Sequence, residues 1–121
     1  MKNLFGSRTK EGGGVAFLEL TSVVWPEGDE WVSQCVELDV ASSGATADEA
    51  QVELMDALCA YLNALEELGE RELVLEERGI QVYTAPTTGN FHPTVPRSFL
   101  RHQGAQIRPV EVPFTRQLVP A

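Results

Sequence analysis

The stretch that most limits what this chain can become is residues 46–68, which read as one long amphipathic helix with a marked start and a marked end. Thr46 is a good N-cap, because its hydroxyl can accept a hydrogen bond from an orphan backbone N–H of the first turn. Glu49 follows three residues later and can reach back, the spacing of a capping box. Asp48 and Glu49 add negative charge at the positive end of the helix dipole. At about 100° per residue, Ala47, Ala50, Leu54, Ala57, Leu58, Tyr61, Leu62, Leu65 and Leu68 share one face. Glu49, Glu53, Asp56, Asn63 and Glu67 share the opposite one. Gly69 directly follows the last apolar residue and is a natural stop. A helix with such a leucine face needs a surface to bury it against.

The flanking sequence offers strands. Residues 15–25 are β-rich: Ala16, Leu18, Leu20 and Val24 fall on one face, and Val15, Phe17, Val23 and Trp25 on the other, with Glu19 and Thr21 between them. Pro26-Glu27-Gly28-Asp29 reads as a turn. Residues 30–38 form a second strand, so the two make an antiparallel hairpin. Trp31, Ser33 and Cys35 lie on one of its faces, Val32, Gln34, Val36 and Leu38 on the other, and alternation alone does not say which is inward. Residues 39–45 allow a brief third strand leading straight to the Thr46 cap. After the helix, residues 71–78 suit one or two helical turns ending at Gly79, and residues 80–84 a strand. Residues 107–114 have strand character, but Pro109 and Pro113 confine them to an edge.

This pattern predicts an α+β fold: a small, largely antiparallel sheet of three or four strands with one long helix on one face, in the order β-β-β-α-β. The expected organisation is a polar N-terminal arm at 1–14, an αβ domain at 15–84 and a Pro/Gly-rich C-terminal extension at 85–121 with an edge strand at 107–114. The arm ends in Gly12-Gly13-Gly14, but no strand precedes these glycines and no Lys-Ser/Thr opens a helix after them, so a phosphate loop is not expected.

Charge narrows the function classes. Residues 1–85 carry 5 Lys/Arg against 17 Asp/Glu, a net of −12, while residues 86–121 carry 4 Arg against 1 Glu, a net of +3. An acidic body repels nucleic-acid phosphates and suits a basic protein partner, although acidity also serves solubility alone. Direct nucleic-acid binding is therefore not expected. No run approaches the roughly 20 apolar residues of a membrane span, and the N-terminus lacks the apolar core of a signal peptide. The expected location is cytoplasmic.

The order hairpin, short strand, capped helix, strand, joined by the sequence from Glu30 to Ala50, resembles the HicB family of antitoxins and their solitary relatives. The elements carrying the resemblance are Trp31, Glu37-Leu38, Ser42-Ser43-Gly44, Thr46-Ala47-Asp48-Glu49-Ala50 and Tyr61-Leu62, over about residues 15–84. The resemblance implies a truncated ribonuclease-H-like fold with the helix across one sheet face, and it favours Trp31, Ser33 and Cys35 as the inward face of the second strand. It implies a non-enzymatic protein that neutralises a small basic ribonuclease of the HicA type, and that forms oligomers, with a dimer as the default. Full antitoxins add a C-terminal helical DNA-binding domain. Here Pro86, Gly89, Pro93, Pro96, Gly104, Pro109 and Pro113 leave no room for a pair of helices. The alternatives are a solitary oligomeric member without a toxin partner and a degenerate nuclease.

Under the antitoxin reading, Glu49, Glu53, Asp56 and Glu67 supply the partner-binding charge. Val52, Met55 and Cys59 form a second apolar strip, suited either to packing under the C-terminal segment or to an interface. No catalytic, cofactor-binding or metal set is evident. Glu19, Glu37 and Asp39 are strand or strand-end acids whose placement does not bring them together, and Asp48 belongs to the cap region. His92 and His102 lie in the loop-rich tail, and Cys35 and Cys59 sit in apolar patterns as free thiols. Ser42 and Ser43 have no nearby histidine base. Arg97, Arg101, Arg108 and Arg116 make the tail sparsely basic, and that tail is expected to contact the acidic body in cis or, in an oligomer, in trans.

Overall fold

The computed structural model describes residues 14–84 and 95–116. Its elements are β1 (Gly14–Glu27), β2 (Glu30–Cys35), β3 (Ala41–Gly44), α1 (Ala47–Glu67), α2 (Arg71–Glu77), β4 (Val82–Tyr83), α3 (Arg97–Leu100) and β5 (Gln106–Arg116). This is the expected α+β arrangement, an antiparallel sheet with one long helix, enlarged to five strands by β5. The expected N-terminal arm, apart from Gly14, and residues 85–94 and 117–121 of the expected C-terminal extension, including His92, lie outside the described residues.

Every strand except β3 pairs with β1. β5 runs antiparallel along one edge of it, from Gly14 opposite Arg116 to Val24 opposite Gln106. β2 takes residues 22–27 of the other edge and β4 takes Phe17 and Leu18. β3 pairs with the far side of β2. Pro26 pairs with Trp31, so the hairpin turn is only Gly28-Asp29, tighter than the sequence suggested. Gly28 leads that turn at φ +63, a backbone state glycine adopts without steric cost.

Between residues 18 and 22, β2 has left β1 and β4 has not arrived. Glu37 fills this gap: its carboxylate accepts from the Thr21 backbone N–H at 2.8 Å and the Thr21 hydroxyl at 2.9 Å. Val36 N–H donates to the Thr21 carbonyl at 2.9 Å. The Thr21 backbone groups thus point away from β5. In an antiparallel ladder such positions alternate, so Pro109 opposite Thr21 and Pro113 opposite Phe17 both stand where no N–H toward β1 is needed. The two missing donors fall on the outer edge of β5, where a proline blunts pairing with another chain.

α1 packs on the face of β1 that carries Ala16, Leu18, Leu20, Ser22 and Val24. Leu54, Leu58 and Leu62 meet Leu18, Leu20, Cys35, Val110 and Val112 in the core. On β2 the inward face is that of Ser33 and Cys35, both fully buried; Ser33 Oγ donates to the Ala50 carbonyl at 2.7 Å. Leu68, expected on the buried face, is 69% exposed, because it is the C-cap and the chain turns off at Gly69 (φ +72). α2 then returns buried Arg71 to the core edge, with its guanidinium 4.5 Å above the Phe114 ring and 3.2 Å from Glu66. The second face of β1 carries buried Val23 and Trp25 beside Thr21 and Glu19, and there Trp25 stacks on His102 at 4.0 Å.

Candidate partner-binding surface

α1 positions the acidic residues singled out above. The helix starts as its sequence predicts: Thr46 accepts from Glu49 N–H at 3.0 Å. The Glu49 carboxylate reaches one residue further back than a capping box requires, to the Ala45 N–H. At about 100° per residue, Glu49, Glu53, Asp56 and Glu67 fall within about 60° of one another around the helix, and Glu67 lies about 16 Å along the axis from Asp56. All four are exposed. They form one anionic ridge pointing away from the sheet.

Val52 and Met55 lie on one flank of that ridge. Val52 is 59% exposed, while Met55 is half-buried against the core. With Asp48, Gln51, Asp56 and Arg108 they line an open furrow of about 400 Å³ between α1 and β5. Arg108 donates to Asp48 Oδ1 at 3.0 Å, and Gln51 accepts from Ser22 Oγ at 2.9 Å. Cys59, the third member of the sequence's apolar strip, is half-buried and packs on the core rather than in the furrow. Arg108, Gln51 and Asp48 were not foreseen as lining residues. The charge asymmetry between body and tail was the available signal, and it named a tendency rather than a pair.

Two of the three strand acids border a common hollow. Glu19 and Glu37 line one hollow of about 170 Å³ with Gly79, Ile80, Gln81 and Tyr83. Arg78 donates to the Glu37 carbonyl at 2.8 Å beside this hollow. Asp39 does not line the hollow: it sits at φ 59 and accepts from Gln34 Nε2 at 2.6 Å. Both Glu37 oxygens are engaged by Thr21. Among the described residues no group of three or more His, Cys, Asp or Glu is placed to hold a metal ion. Cys35 and Cys59 are free thiols. Burial pushes the Cys35 thiol up to about 12, a protonated and unreactive state at neutral pH.

Among the described residues no helix is long and apolar enough to cross a membrane. No family model, no curated protein and no solved structure matches this chain.

Proposed function

We propose that this chain is a HicB-like, non-enzymatic binding protein, an antitoxin whose acidic helix face covers a small basic ribonuclease of the HicA type. The observation that carries the reading is the ridge of Glu49, Glu53, Asp56 and Glu67, held in one exposed line on a helix whose opposite face is locked into the sheet. A rigid anionic surface of this kind steers a basic partner and sets its orientation more than it adds raw affinity. A cytoplasmic location belongs to the same proposal. So does self-association as a two-fold dimer.

The test is an RNA-cleavage assay with a HicA-type ribonuclease encoded next to this chain's gene. Stoichiometric addition of this protein is expected to abolish cleavage, and the two are expected to co-purify. Absence of binding at micromolar concentration would remove the antitoxin reading and leave the solitary oligomeric one. The protein incubated alone with RNA and Mg²⁺ or Mn²⁺ is expected to give no cleavage, and cleavage there would establish the nuclease alternative.

A further inference from the structure

The furrow beside the ridge combines two features that the ridge alone lacks. Its floor is apolar, made by Val52 and Met55, and its rim is anionic, made by Asp48 and Asp56. One cation is already seated there: Arg108, from the basic end of the chain, on Asp48. Asp56 lies two helical turns on, about 12 Å along the axis. Among the described residues it has no ion-pair partner. Val52 stays 59% exposed between the two carboxylates. An apolar floor between an occupied and an open carboxylate matches a chain that alternates aliphatic and cationic side chains.

We propose that this furrow docks a basic segment of a partner protein, which lays an aliphatic side chain on Val52 and Met55 and a guanidinium or ammonium group on Asp56. The inference rests on the binding-protein reading above and gives it an address on the surface. The Arg108–Asp48 pair fixes one end of the furrow and shows the cation geometry that the partner repeats at the other. Long-range attraction from the ridge brings the segment in and weakens with salt, while the apolar floor selects among basic segments.

The probe is a short peptide of Arg-Leu-Arg repeats, compared with an Arg-Ser-Arg peptide of the same length and charge. With the full chain in an amide-detected NMR titration, shifts are expected to concentrate on residues 48–56 and Arg108. The leucine peptide is expected to bind about tenfold more tightly than the serine peptide. The double variant Val52→Ser/Asp56→Asn is expected to erase that difference; both side chains are exposed, and an unchanged urea midpoint checks that the fold is kept. Equal binding of the two peptides, shifts spread evenly over the acidic surface, or an unaffected double variant would each overturn the proposal. Ribonuclease neutralised as well by the double variant as by the parent would overturn the furrow while leaving the antitoxin reading in place. A furrow that takes the leucine peptide in a protein that binds no such ribonuclease would leave the furrow standing and remove the antitoxin reading.

Discussion

Glu37 shows how far a residue's role can depart from its class. In the sequence it is one more acid of an acidic body. In the fold its two oxygens take the place of a missing neighbour strand at Thr21. Cys35, two residues earlier, is fully buried on the helix face of β2. Its thiol is pushed up from an ordinary 9.0 to about 12, first by burial, with the nearby Glu37 charge adding and a backbone hydrogen bond from Leu38 opposing. A folded-state value raised above the unfolded one favours the fold fully below pH 9, and that contribution is lost as pH rises toward 12. Urea melts are therefore expected to show stability falling above pH 9 by up to about 1.4 kcal/mol per pH unit for this one proton. The same series on Cys35→Ala should lack that component, and identical pH slopes for the two proteins would show that Cys35 does not couple to folding.

The junction of β3 and α1 is where two elements come closest. Gly44 is the last residue of β3, and a Cβ placed on it would stand 2.6 Å from the Ala50 nitrogen and 2.9 Å from the Glu49 carbonyl carbon. Those atoms are backbone of the first helical turn, so they yield only if α1 lifts off the sheet. Gly44 is thus required by space, not by a left-handed backbone. Gly44→Ala is expected to destabilise the fold by about 1 to 3 kcal/mol, the usual cost of overpacking, read as a lower urea midpoint. A midpoint equal to the parent's would mean that the helix start has slack. The same junction explains why Ser33 is buried: its hydroxyl donates to the Ala50 carbonyl, tying the helix start to β2.

At the scale of the molecule, the β5 and β3 edges of the sheet differ. β5 pairs with β1 in cis over its full length, so of the two contacts expected of the tail, in cis or in trans, the strand makes the one in cis. Its outer edge is interrupted by Pro109 and Pro113. Among the described residues β3 pairs only with β2, carries no proline, and leaves Ala41 and Ser43 exposed. The Cys35 N–H donates to the Val40 carbonyl at 2.7 Å, which by alternation turns the backbone groups of Ala41 and Ser43 outward. A dimer is therefore expected to form by β3 pairing with β3 of a second copy, not through the tail. Light scattering should give a dimer for the parent and a monomer for Ser43→Pro, which removes an outward N–H while leaving the β2 ladder intact. A parent that stays monomeric at every accessible concentration would end the self-association proposal, and a dimeric Ser43→Pro would move the interface elsewhere.

The helix and its inward leucines were legible because capping and a 3.6-residue period are local: Thr46, Glu49 and Gly69 act on backbone a few residues away. The β1–β2 hairpin was legible for the same reason, with both strands joined by a two-residue turn. The acidic ridge followed directly from that period. The sequence left open the inward face of β2, because both of its faces carry apolar residues; burial of Ser33 and Cys35 against α1 decides it. The hollow that Glu19 and Glu37 both border and the seating of Arg108 on Asp48 also waited for the fold. Residues 48 and 108 meet only because β5 lies along β1 while α1 crosses the same sheet. Contacts between elements so distant in the chain are set by register and packing, and no local period encodes them.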